Sequence, residues 1–168
     1  MPFLVENLRA LLRILVFRAS PAELSASRNL LILLIAGSVG IGYLAAGILP
    51  QPGPVELQLL AAMIVTLGLV YLALYWRGLL PRFNQTASAV FGTDLLLSLP
   101  MLLIQLQVAA VDEAGAGLLL AALTLWVWRL AVLGHVFAEA MDVRRSLGVL
   151  AAVVYMIIVL QIVSALAQ

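Results

Sequence analysis

Residues 30–49 read LLILLIAGSVGIGYLAAGIL, twenty consecutive residues without a charge. As a helix rising 1.5 Å per residue they span about 30 Å, the thickness of a bilayer's hydrocarbon core. Pro50, Pro52 and Pro54 end the stretch. Four more follow at about 57–76, 87–110, 117–138 and 147–167, separated by short turns. The 168-residue chain is 65% hydrophobic and 10% charged, with a mean hydropathy of +1.18. Soluble domains are roughly 45–50% apolar and about 25% charged, so this composition cannot cover a water-soluble surface of this size. The expected fold is an all-α polytopic transmembrane bundle of five spans.

Upstream lies FLVENLRALLRILVFR (3–18), in which Glu6, Arg9 and Arg13 share one helical face and leucines fill the rest. That pattern predicts an amphipathic helix in the membrane interface, with Arg9, Arg13 and Arg18 beside anionic headgroups. Charges inside the apolar run argue against a cleaved signal peptide. Ser20-Pro21, Ser25 and Ser27 mark a linker, with Pro21 suited to a first helical position. Residues 1–28 thus form an interfacial segment and 29–168 the transmembrane domain.

All nine basic residues are arginines. Arg9, Arg13, Arg18 and Arg28 precede the first span, Arg77 and Arg82 follow the second, and Arg144 and Arg145 precede the fifth. The other two turns hold only Glu56, Asp112 and Glu113. The positive-inside rule places the arginine side in the cytoplasm, with the N-terminus inside and the C-terminus outside, as expected for a bacterial inner membrane. A net charge of +1 gives no nucleic-acid footprint. Without cysteine, and with one histidine, the chain lacks thiolate sites, multi-histidine metal sites and a nucleophile–base pair, so no metal, cofactor or catalytic residue is expected.

Lipid gives helices no hydrophobic reason to associate, so small residues and a few polar groups should mark the contacts. In the first span Ala36, Gly40, Tyr43 and Gly47 form such a stripe, expected to meet a neighbouring helix. In the third, Ala87, Asp94, Ser98, Met101 and Gln105 share one face, and Pro100 could break the helix. Gln105, Gln107 and Gln161 are candidate interhelical hydrogen-bonding groups. Asp94, Arg129 in the fourth span and Tyr155 in the fifth fall at similar depth. A lone charge there costs about 2.5–3.5 kcal/mol. An Asp94–Arg129 pair that fixes helix register, with Tyr155 donating to the carboxylate, relieves that cost. The functional alternatives are a proton or ion relay continuing through His135, and a transport pathway through Asp94, Ser98, Gln105 and Arg129. His135 itself reads as an interfacial polar residue, and Trp126 and Trp128 as packing groups.

Two stretches, FRASPAELSASRNLLILL and LWVWRLAVLGHVFAEAMDVRRSLGVLAAVVY, carry a further signal. The first sets a basic segment and a proline before span one. The second joins a Trp-rich fourth span to the fifth. With five spans and a cytoplasmic N-terminus, the chain resembles bacterial members of the Yip family (Ypt-interacting proteins). The Asp-Leu-Tyr-Gly-Pro signature of eukaryotic members is absent. The resemblance implies a non-enzymatic membrane scaffold or accessory protein, partnered by the bilayer and by another membrane protein or a second copy.

Because the chain has no native cysteine, single introduced cysteines report topology directly. Cysteine at Asp112 should react with an impermeant thiol reagent from outside, and cysteine at Arg82 or Arg144 only once the membrane is opened. Outside labelling at Arg82 would overturn the five-span order.

Overall fold

The computed structural model describes residues 2–49, 52–111 and 115–166. The turn residues Pro50, Asp112 and Glu113 lie outside the described residues. Six helices follow one another: α1 (Pro2–Leu15), α2 (Arg28–Ile48), α3 (Val55–Arg77), α4 (Phe83–Ala109), α5 (Ala116–Met141) and α6 (Arg145–Ala165). No strand occurs among the described residues. The last five helices are long and apolar enough to cross a membrane. Their outward faces carry Leu33, Leu44, Ile64, Leu103, Leu120, Val127 and Leu150, all exposed. Facing lipid, such a surface is solvated by its own kind.

Helix boundaries follow local chemistry. At the end of the bundle that bears the arginines, α3 stops where Gly78 turns left-handed (φ 69°), and Leu79 N–H closes back on Leu74 O at 2.9 Å. α5 stops in the same way at Asp142 (φ 54°), with Val143 N–H on Ala138 O. Both are Schellman endings. Ser20 caps a short 3-10 turn begun by Pro21, in a capping box closed by Glu23. α4 runs unbroken through Pro100.

Packing divides the bundle into two halves. At the arginine-bearing end α4 is the central helix: every residue from Thr86 to Thr93 is buried, and it contacts α1, α2, α3 and α5. Its small side chains (Ala87, Ser88, Ala89, Gly92) let neighbours approach, while Thr86 and Thr93 donate their hydroxyls to carbonyls four residues back. On α5, Val132 through Ala138 are buried as well. At the opposite end no residue of α4 beyond Thr93 and none of α5 before Val132 is fully buried.

The tightest crossing joins α5 and α6. A Cβ on Gly148 would lie 2.6 Å from Ala138 Cβ and 2.7 Å from Ala138 N, and would collide with the Gly134 carbonyl. Gly134–Ala138 and Gly148–Ala152 form facing pairs of small residues four apart. On α2 Leu30, Leu31 and Leu34 are buried, and the glycines that meet neighbouring helices are Gly37, against Leu95, and Gly42, against Leu59. The stripe expected to pack, Ala36, Gly40, Tyr43 and Gly47, instead lies exposed, with nothing near Gly40 or Gly47. With Leu95 of α4 seated on Gly37 and Leu59 of α3 on Gly42, the face bearing Ala36, Gly40, Tyr43 and Gly47 is turned outward.

The N-terminal segment also departs from a freely surface-bound helix. Asn7, Ala10, Leu11 and Ile14, one helical stripe, are buried against the bundle, and Leu11 fills the space left by the missing side chain of Gly92. Leu4, Leu8 and Leu12 form a second apolar face pointing outward, with Glu6, Arg9 and Arg13 on the third. Arg13 is engaged within the chain: its guanidinium meets Glu23 at 2.8 Å and donates to Arg18 O. Arg9 and Arg18 remain exposed.

Gly148→Ala should lower the thermal midpoint in detergent by the several degrees that about 1–3 kcal/mol of overpacking implies. Gly68→Ala, which meets nothing within 4 Å, should leave it unchanged. An unaltered midpoint for Gly148→Ala would contradict the close approach.

Candidate functional site

Five polar side chains from five helices lie at one level. Ser38 is ten residues into α2 from Arg28, Asp94 eleven into α4 from Phe83, and Tyr155 ten into α6 from Arg145. On the antiparallel helices Thr66 is eleven residues before Arg77, and Arg129 twelve before Met141. At 1.5 Å per residue each sits about 15–18 Å from the arginine-bearing end, the middle of a hydrocarbon core roughly 30 Å thick.

Arg129 forms an ion pair with Asp94 Oδ1, both side chains being partly buried. Ser38 Oγ donates to Asp94 Oδ2 at 2.8 Å. The carboxylate therefore ties α4 to α5 and α2 at once. Tyr155 does not take the expected role: its hydroxyl lies 2.9 Å from Thr66 Oγ1, joining α6 to α3. The guanidinium of Arg129 also lies 5.5 Å from the Trp126 ring centre, a cation–π contact. Among the described residues Asp94 is its only ion-pair partner, and no hydrogen bond is made by its remaining N–H groups.

A cavity of about 230 Å³ lies against this cluster, lined by Ser38, Thr66, Asp94, Ser98, Arg129 and Tyr155 with apolar walls from Val39, Met63 and Val159. Val90 and Phe91 line its side nearest the sealed half. A second cavity, about 150 Å³, shares Gly42, Leu59 and Ala62 with it and continues toward the arginine-free end, reaching Gln58 and Gln105. A third, about 200 Å³, shares Ser98 and Arg129 and runs past Met101 and Trp126, again to Gln105. The Oε1 atom of Gln105 is buried without a hydrogen-bond partner. Gln105 thus faces cavities rather than bonding a neighbouring helix. Neither Gln107 nor Gln161 makes an interhelical side-chain bond, and both are exposed. A polar tract therefore runs from the midplane along the open half.

His135 belongs to a different assembly. It is 8% exposed, packed among protein groups six residues from the end of α5, and its Nε2 lies 2.9 Å from Ala19 O. Phe17 packs edge-on against its ring at 5.6 Å and tilts over Trp128 at 6.2 Å. Trp128 Nε1 donates to Leu15 O. Gln85 donates to Ala22 O and Leu24 O, and Asn84 to Ala26 O. The segment after α1 is thereby strapped across the sealed end. Phe17 ends α1 with φ 60°, a left-handed conformation that opposes a bulky side chain; its two aromatic contacts hold it there. No direct hydrogen bond among the described residues connects His135 to Arg129.

Among the described residues no three of His, Asp and Glu gather as a metal site would require. Comparison with family models, with curated proteins and with solved structures finds no match to this chain. Ser38 and Thr66 were missed by sequence reasoning. Their signal was depth: each is an isolated hydroxyl in an apolar span, level with Asp94.

Asp94→Asn and Arg129→Gln should each lower stability in detergent and accumulation in the membrane, by about 2–3 kcal/mol for an orphaned midplane charge. The double variant should recover much of that loss. Additive losses in the double-mutant cycle would mean that the charges do not interact.

Proposed function

We propose that this chain is a non-enzymatic membrane protein that admits a small polar solute or ion to the midplane site at Asp94 and Arg129, as the binding step of a small transporter or channel. The observation that carries the reading is the 230 Å³ cavity at the ion pair. A pair that serves only to fix register gains most from dry, close packing, whereas polar groups facing an intramembrane cavity mark binding sites and pathways. The donors left on Arg129 and the acceptor on Gln105 give a solute partners of both kinds. The densely packed arginine-bearing half supports access from one side. With that half placed in the cytoplasm by the positive-inside rule, access is from outside.

A second reading, favoured by sequence alone, is the Yip-type scaffold or accessory protein with a membrane partner. The exposed stripe Ala36, Gly40, Tyr43 and Gly47 on α2 supports it, since such stripes admit a partner helix.

Ser98→Cys tests the first reading. A charged, impermeant thiol reagent added outside should modify it in intact cells, while Val132→Cys, buried in the sealed half, stays unmodified. No modification at Ser98 would refute an aqueous pathway. Disulfide-linked dimers formed through Gly40→Cys in that case would favour the scaffold.

A further inference from the structure

A groove outside the polar tract has its own chemistry. It lies between α3 and α6 over α5, encloses about 360 Å³, and is walled by Leu69, Leu72, Ala73, Phe137, Ala151 and Val154. It begins at the level of Tyr155, near the midplane, and ends about three helical turns away at Trp76, Arg77 and Met141. Its walls are apolar along their length; the charge is at the mouth.

Arg77 is fixed there. Its Nε donates to Met141 O at 2.9 Å and its Nη2 to Asp142 O at 3.3 Å, so it spans from α3 to the end of α5 and keeps Nη1 free. The same turn carries Arg144 and Arg145, both exposed and without an ion pair among the described residues. They stand at the start of α6, where the helix dipole adds positive potential instead of relieving it. Against Glu139 and Asp142 the three arginines leave this corner net positive. Trp76, 81% exposed, stands at the lip, as indole rings do at headgroup level.

We propose that this groove binds an anionic phospholipid, with one acyl chain lying along α3 and α6 and the phosphate held by Arg77, Arg144 and Arg145. The slot runs about 15 Å from its mouth to the midplane between apolar walls, the depth one leaflet's acyl chain occupies, and its positive mouth suits a lipid anion better than an apolar partner helix. The positive mouth selects the headgroup: a zwitterionic lipid offers the same chain but no net charge.

Native mass spectrometry of the full chain, titrated with phosphatidylglycerol or phosphatidylcholine in detergent, tests this. Phosphatidylglycerol adducts should survive activation that strips phosphatidylcholine. Arg144→Gln/Arg145→Gln, which leaves the Arg77 contacts to α5 intact, should weaken phosphatidylglycerol retention about fivefold per arginine removed. Ala151→Trp, which fills the groove and leaves the arginines in place, should reduce retention of both lipids. Equal retention of the two lipids by the native chain would overturn the proposal. So would a double arginine variant that retains phosphatidylglycerol as strongly as the native chain does, or an Ala151→Trp variant that keeps its lipid while its thermal midpoint is unchanged.

Discussion

A charge in the middle of a bilayer must find its opposite, and in this protein that requirement is met across helices. Asp94 receives Arg129 from α5 and Ser38 from α2, so one carboxylate sets the relative height of three spans. Nothing else at the midplane has comparable leverage. Van der Waals packing tolerates small slips along a helix axis, whereas an orphaned arginine in hydrocarbon does not. The Thr66–Tyr155 bond joins α3 to α6 at the same level, so each of the five spans makes a polar contact in one plane.

Either side of that plane the physics differs. Toward the arginines, helices touch through alanine, glycine, serine and threonine, with the hydroxyls of Thr86 and Thr93 satisfied inside their own helix and that of Ser88 buried without a partner. Away from them the helices carry larger or polar inward residues, and cavities remain. The pairs Gly134–Ala138 and Gly148–Ala152 lie wholly in the close-packed half. Gly40 and Gly47, by contrast, face outward, where their smallness shapes only the outer surface of α2.

The five spans and their order were legible because an uncharged apolar run of twenty residues matches the hydrocarbon thickness and is too long for an ordinary buried core segment. The Asp94–Arg129 level was legible from rise per residue alone. Rotation about the helix axis was not. The stripe on α2 had the composition of a packing face, yet Gly37 and Gly42, on a different face, make the contacts because Leu95 and Leu59 reach into them. Tyr155 was at the right depth and bonded elsewhere, because depth does not give azimuth. The docking of α1 was hidden for a related reason. A helix with two apolar faces and one charged face reads as interfacial whether or not one apolar face is taken up by the bundle.

The strap over the sealed end has a consequence for biogenesis. α1 leaves the ribosome before the five spans, yet the groups that hold it and its following segment are Gly92, Trp128 and His135, separated from their partners by roughly half to two-thirds of the chain. Until α4 and α5 have been synthesised and inserted, no receptor for this segment exists. In the interval its outward leucines and arginines can hold it at the membrane surface, where it costs no buried polar group to wait. Docking is then one of the last steps of assembly, and closure of that end reports that the preceding spans have arrived in register.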